Sequence, residues 1–338
     1  MATEIYCFSG TGNSLFVARE LQRAIPDSVV IPIVSLLGQS AFQTQGKAVG
    51  FVFPCHALTV PLAVKRFMKR VDMQSAEYVF AIATRYGTVF RGFEMMEKLL
   101  RKKGKKLDAR FILNMCHNEA PRSEKGYKVP SRRDILKVEE AVLQKLSQIR
   151  TVILERETFH EHDAGVLVQT SSSRIAGFFV EKLVVSLLNI SEHIGGVNYF
   201  YHDDACNGCG VCEKVCLSDK IRIFGGAPVW QRDVLCYMCY ACLNFCPQKS
   251  VQVKDIPGVK SYSTENDRYP HPYASVADIM SQKGPRVPSM QGTGAVLHAP
   301  PDTPSTNPSA AVPKQEPAGL QSTPKGSAGF EKSGRCST

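Results

Sequence analysis

Eight of the chain's twelve cysteines stand in two copies of one spacing. Cys206, Cys209, Cys212 and Cys216 read C-x2-C-x2-C-x3-C, and Cys236, Cys239, Cys242 and Cys246 repeat it, with Pro247 following. Cysteines at intervals of three residues wrap a loop around one side of an iron–sulfide cubane. The last thiolate must come from elsewhere, and in a two-cluster arrangement it comes from the other repeat. The spacing therefore predicts two [4Fe–4S] clusters, one on Cys206, Cys209, Cys212 and Cys246, the other on Cys236, Cys239, Cys242 and Cys216. Structural zinc uses paired C-x2-C knuckles and has no need of a third cysteine in each run. A disulfide framework needs oxidising surroundings, and the chain shows no secretion-type start, so a reducing, cytoplasmic setting is expected. Val211, Val215, Ile221, Ile223, Leu235, Ala241 and Phe245 are expected to form a shell that keeps water off the clusters, with Trp230 packed on it. Leu217 stands where a proline would match Pro247; proline there only shapes the turn leaving the ligand, so cluster binding is expected to survive, with local geometry and potential open to change.

The other chemistry-bearing segment lies at the start. Glu4-Ile5-Tyr6-Cys7-Phe8 reads as a strand and runs into Ser9-Gly10-Thr11-Gly12-Asn13-Ser14, after which an amphipathic helix begins. A strand–turn–helix junction of glycines and hydroxyl residues is an anion site, because backbone N–H groups, hydroxyl donors and the helix dipole all favour negative charge there. A P-loop needs Lys where Asn13 stands. A dinucleotide fingerprint needs a small residue where Leu15 stands and an acid ending the second strand, where the sequence reads Val34-Ser35-Leu36. What remains, S-x-T-G-N-S, resembles the phosphate loop of flavodoxins, which implies that Ser9, Gly10, Thr11, Gly12, Asn13 and Ser14 hold the phosphate of FMN. A structural turn without a ligand is the competing reading.

These residues need elements to position them. Over residues 1–118, short β-branched runs at 5–8, 29–34, 48–53, 78–83 and 110–114 alternate with helical patterns at 15–25, 60–71 and 90–103. Alternation of this kind implies parallel strands with right-handed crossovers, hence an α/β flavodoxin-like doubly wound five-stranded sheet of order 2-1-3-4-5. In that fold the ring of the flavin lies over the carboxyl ends of the central strands. The candidates are Pro54, His56 and Ala57 after the third strand and Thr84, Tyr86 and Gly87 after the fourth, with Tyr86 or His56 stacking on the ring. Asn114, Cys116, His117 and Asn118 after the fifth strand close the rim. Cys7, Cys55 and Cys116 fall at strand ends and read as buried thiols rather than redox groups.

Residues 119–200 form a helical connector in this reading, with helix periods at 135–149 and 173–194. Residues 201–255 are a small α+β two-cluster ferredoxin domain, 256–283 a closing segment, and 284–338 a disordered tail carrying nine of the twenty prolines. The apolar stretch 175–190 is broken by Glu181 and Lys182, so no membrane span is expected. The formal charge of +10 suggests nucleic acid at first sight. Its densest block, 101–106, instead falls at a helix end, where cations satisfy carbonyls, and the surplus charge suits an acidic redox partner.

Both halves together resemble the EFR-type ferredoxin family, fusions of a flavodoxin-like domain with a C-terminal two-cluster ferredoxin. The residues that carry the resemblance are Phe8 to Ser14, Phe53-Pro54 with Ala57 and Pro61, the two cysteine repeats, and Arg268-Tyr269-Pro270-His271-Pro272. The resemblance implies FMN, two [4Fe–4S] clusters and electron transfer with an unspecified redox protein. It leaves two readings open beside a redox sensor or scaffold: a carrier with no catalytic residue of its own, and a flavin-dependent reductase of a quinone or nitro compound fed through the clusters. No second nucleotide fingerprint argues for direct NAD(P)H oxidation.

Overall fold

The structure is a computed structural model that describes residues 2–39, 41–163, 199–255 and 260–284. Six strands form one parallel sheet: β1 (Thr3–Cys7), β2 (Ser28–Pro32), β3 (Ala48–Pro54), β4 (Tyr78–Arg85), β5 (Ala109–Asn114) and β6 (Phe159–His160). Their order is β2-β1-β3-β4-β5-β6. The first five follow the flavodoxin-like doubly wound order. The sixth, short strand lies beside β5, pairing Ala109 with Phe159 and Arg110 with His160, and it corrects the expected five. Its apolar content is too small for a strand signal, and α4 (Arg132–Leu154) is the crossover that delivers it. The helix pattern at 173–194 and the tail at 285–338 lie outside the described residues.

β1, β3 and β4 are buried on both faces, as continuous apolar runs of a parallel sheet should be. Alternate residues divide between two cores. Tyr6, Phe8, Phe51 and Phe53 face α2 (Leu62–Arg70) and α3 (Phe93–Arg101). Ile5, Cys7, Val52 and Ile82 face α1 (Asn13–Ala24) and α4. Two lysines of the basic block donate to carbonyls, Lys105 to Gln74 and Ala76 at 3.1 and 2.6 Å and Lys103 to Lys69 at 3.3 Å, while Lys106 pairs with Asp108 at 3.0 Å.

The cysteine repeats lie in a small α+β unit. β7 (Phe200–His202) pairs antiparallel with β10 (Val251–Val253), and β8 (Ile221–Phe224) with β9 (Ala227–Trp230). Each repeat ends in a short helix, α5 (Val211–Val215) and α6 (Ala241–Asn244). This unit does not stand apart. Val215, Leu217, Tyr237 and Ala241 belong to the same buried cluster as Phe8 and Phe53. A last helix, α7 (Val276–Ser281), adds Ile279 to that cluster.

The sheet is closely packed at Gly50, where an added Cβ would lie 2.1 Å from the Phe80 ring. Gly50→Ala should therefore destabilise the chain by about 1–3 kcal/mol through overpacking. Urea unfolding monitored by circular dichroism checks this, and an unchanged midpoint would contradict the packing described.

Candidate functional site

The two cysteine repeats build one turn twice. In the first, Gly208 (φ 70°), Gly210 (φ 74°) and Asp219 (φ 54°) are left-handed. In the second, Met238 (φ 50°), Tyr240 (φ 56°) and Lys249 (φ 52°) hold the matching places. L-residues pay roughly 1–2 kcal/mol in that region, and such strain clusters at ligand sites. Alternating left- and right-handed residues gather N–H groups around an anionic centre; the Met238 N–H donates to Cys236 Sγ at 3.4 Å.

The folded repeats bring the cysteines together crosswise. One pocket is lined by Cys206, Cys209, Cys212 and Cys246, a second by Cys216, Cys236, Cys239 and Cys242. These are the groups of four that the spacing predicts. With the open solvent at their mouths included, the pockets hold about 310 and 300 Å³ of empty space. Val211 and Ile223 line the first, Ile221 and Trp230 the second. Among the described residues no three His, Cys, Asp or Glu close on a single metal ion. Burial pushes the thiols of Cys212 and Cys239 up to about 12 and that of Cys236 to about 11, with neighbouring cysteines adding to the rise. Burial likewise raises Cys242 well above the ordinary thiol range. Thiols held protonated in this way become thiolates when a cationic centre takes them.

The loop 9–14 leaves β1 and enters α1. Gly12 is left-handed (φ 104°) and α1 begins at Asn13 with no side-chain cap. Ser9 Oγ accepts from the Gly12 N–H at 3.1 Å, Thr11 Oγ1 accepts from Asn118 Nδ2 at 2.7 Å, and Ser14 Oγ shares a bond of 2.8 Å with Thr84 Oγ1. The Ser9 and Thr11 hydroxyls, each used as acceptor, retain a donor with no acceptor among the described residues. The buried Asn13 Oδ1 likewise has no partner. Uncapped N–H groups and hydroxyl donors are the groups that a phosphate takes; of the loop, Asn13 alone lines the cleft described next, while Gly10 is covered by Cys239 and Gly12 by His271 and Ala274.

A cleft lies over the carboxyl ends of β3, β4 and β5. Asn13, Pro54, Cys55, Thr84, Tyr86 and Cys116 to Glu119 line it. Tyr86 stacks on His117, with centroids 4.5 Å apart and planes 10° from parallel. Asn114 lies beside the rim and accepts from Arg85 Nε at 3.1 Å. His56, Ala57 and Gly87 do not line the cleft. Reciprocal backbone bonds between His56 and Thr59, at 3.0 and 2.8 Å, fold the exit of β3 back on itself. His56 then meets the edge of Phe8 at 5.9 Å, and burial with the nearby Lys65 pushes its ring down to about 4. Gly87 (φ 59°) faces open space. Cys7 and Cys55 are raised by burial to about 12, as inert thiols are.

The closing segment fastens this site. Gln282 brackets Ser9, accepting from its N–H at 3.1 Å and donating to its carbonyl at 2.8 Å. The His271 N–H donates to the Thr11 carbonyl at 2.8 Å. Arg268, buried, donates to the carbonyls of Ser263, Asn266, Lys249 and Val251 at 2.8 to 3.2 Å. Asn244 on α6 donates to the Asn118 carbonyl at 3.1 Å and accepts from the Tyr269 N–H at 3.0 Å. Gln282 and Asn244 had no signal in the sequence, because their partners are distant in the chain.

No family model matches the chain, and the comparison with curated proteins gives no match. Among solved structures, a flavodoxin from the domain Archaea is 12% identical over 44% of this chain and 99% of its own, with a TM-score of 0.27. The Trp repressor binding protein from Bacillus subtilis is 12% identical over 44% of this chain and 98% of its own, at 0.28. Two-electron reduced Megasphaera elsdenii flavodoxin is 14% identical over 42% and 98%, at 0.24. Likenesses this distant assign nothing further, and the fold rests on the strand order above.

His271 is 1% exposed and stacks on Phe16 at 4.7 Å. Burial pushes its ring down from 6.5 to about 4. The unfolded chain therefore binds more protons between those values, and stability should fall as pH drops from 6.5 toward 4, by up to ~1.4 kcal/mol per unit. Glu139 Oε1, 3.4 Å from His271 Nε2, is raised by burial and acts in the opposite direction. The comparison is therefore between variants: His271→Phe should flatten the acid limb in urea titrations at pH 4.5 and 7. Identical slopes would count against a neutral buried ring.

Proposed function

We propose that the chain is an electron-transfer iron–sulfur flavoprotein. Its two cysteine pockets hold [4Fe–4S] clusters, and its first loop and cleft hold FMN. The observation that carries this is the crosswise collection of eight cysteines into two pockets of four. Two fours of cysteines on repeated left-handed turns suit two like clusters better than any set of single ions. When bound, the clusters supply one-electron steps and the flavin a centre that stores two electrons.

The chain's own residues set the conditions for that chemistry. Ser9, Thr11 and the start of α1 present donors to a phosphate. Pro54, Thr84, Tyr86 and His117 shape the cleft, and the Arg85–Asp163 ion pair fixes the exit of β4. Phe200, Ile221 and Trp230 make the wall of the second cysteine pocket apolar, a lever on cluster potential. The positive formal charge suits an acidic redox protein as donor or acceptor.

Anaerobic reconstitution followed by iron and sulfide assay tests the reading. About eight irons per chain are expected, with a flavin band in the visible spectrum. Cys246→Ser and Cys216→Ser should each retain about four irons and each lose the cluster of the opposite repeat. Zinc in place of iron, or about four irons in the unmodified chain, would overturn the cluster assignment. Clusters without flavin would reduce the N-terminal half to a scaffold.

A further inference from the structure

The two cysteine pockets are alike in their four cysteines but not in position, and the repeats differ in the residues between their cysteines. The first carries Asn207, Gly208 and Gly210; the second carries Tyr237, Met238 and Tyr240. Cys209 and Asn207 are exposed, and both pockets are lined by the cysteine unit alone, the first by positions 206–251 and the second by 200–242. The second repeat faces the sheet. Tyr237 meets the edge of Phe8 at 6.2 Å, and a Cβ on Gly10 would lie 2.1 Å from the Cys239 carbonyl oxygen and 2.6 Å from its Cβ. Tyr240, which lines the second pocket, donates from its hydroxyl to Glu119 Oε1 at 3.4 Å, and Glu119 lines the cleft.

Resting on the function proposed above, we infer that the two sets of cysteines are ordered. Cys216, Cys236, Cys239 and Cys242 form the inner terminal, which exchanges electrons with the flavodoxin-like half across the Cys239–Gly10 contact. Cys206, Cys209, Cys212 and Cys246 form the outer terminal, which meets a one-electron carrier protein at the face carrying Cys209. With clusters and flavin bound, this order would let the chain pass single electrons from a reduced carrier protein through the outer set of cysteines to the inner set and on to the flavodoxin-like half. The reverse flow uses the same order. Contact selects this path: neither repeat lines the cleft itself, but the second touches the loop 9–14 at Gly10 and reaches the cleft residue Glu119 through Tyr240.

The reconstituted full chain provides the test. Under a chelator with mild oxidant, the wild-type protein should lose about four irons first. Electron paramagnetic resonance should identify the surviving cluster as the one that remains in Cys209→Ser and is missing in Cys239→Ser. Gly10→Ala forces Cys239 off the loop. It should shift the midpoint potential of that surviving cluster and leave the other within error. Tyr240→Phe, which removes only a hydroxyl, repeats the measurement should Gly10→Ala not fold, and should move the same cluster alone. Both clusters lost at one rate, or the outer cluster shifted instead, would overturn the order while eight irons still upheld the function. Fewer than eight irons in the starting protein would fail the function itself.

Discussion

The backbone of Cys239 lies where a side chain on residue 10 would stand, and the rest of the molecule is arranged around that close approach. A Cβ at Gly10 has no room against the Cys239 carbonyl, so the first loop meets the second cysteine repeat main chain to main chain. Contacts of this kind cannot be made by flexible side chains, because only glycine lets two backbones come so near. The loop 9–14 therefore serves two neighbours. Its N–H groups and hydroxyls lie at the start of α1, and its glycines accept the cysteine unit and the closing segment.

Holding two backbones in that register requires more than apolar contact, because burial alone is non-directional. The directional part is polar. Gln282 brackets Ser9, Asn244 bridges Asn118 and Tyr269, and Arg268 ties carbonyls on both sides of β10. A net hydrogen bond contributes only about 0.5–1.5 kcal/mol, but a buried group left unpaired costs about 1–3 kcal/mol. The asymmetry makes these side chains determinants of geometry more than of stability. A shifted cysteine unit would strand several of them at once.

Much of the fold was legible because the parallel sheet writes itself in continuous apolar runs. The five strands fell where the β-branched runs stood, and 135, 142, 146 and 149 formed the buried stripe of α4. β6 was not legible, since Phe159 and His160 are two residues held by neighbours rather than by pattern. At the site, Asn13, Pro54, Thr84 and Tyr86 line the cleft as loop positions at strand ends must. His56 was misplaced because the back-folded turn through Ala57 (φ 45°) and Leu58 (φ 65°) uses left-handed residues that are not glycine. Sequence gives no warning of such a turn. Gln282 and Asn244 were invisible for another reason: a polar side chain that answers a distant backbone group leaves no local period.

The left-handed positions of the repeats make the same point in energetic terms. In the first repeat glycine at 208 and 210 removes the strain, as a sequence under no other demand would choose. In the second, Met238 and Tyr240 accept roughly 1–2 kcal/mol each. What offsets this at 240 is burial: an aromatic side chain removes about 150 Å² or more from water. At about 25 cal/mol per Å², even half of that area returns about 2 kcal/mol. Tyr240 packs its ring edge against Phe200 at 5.7 Å and reaches Tyr199 with a hydroxyl contact of 3.0 Å. Strain that glycine would relieve is thus retained because the side chain is needed at the junction. The difference between two otherwise matching repeats records which of them the sheet side of the molecule holds.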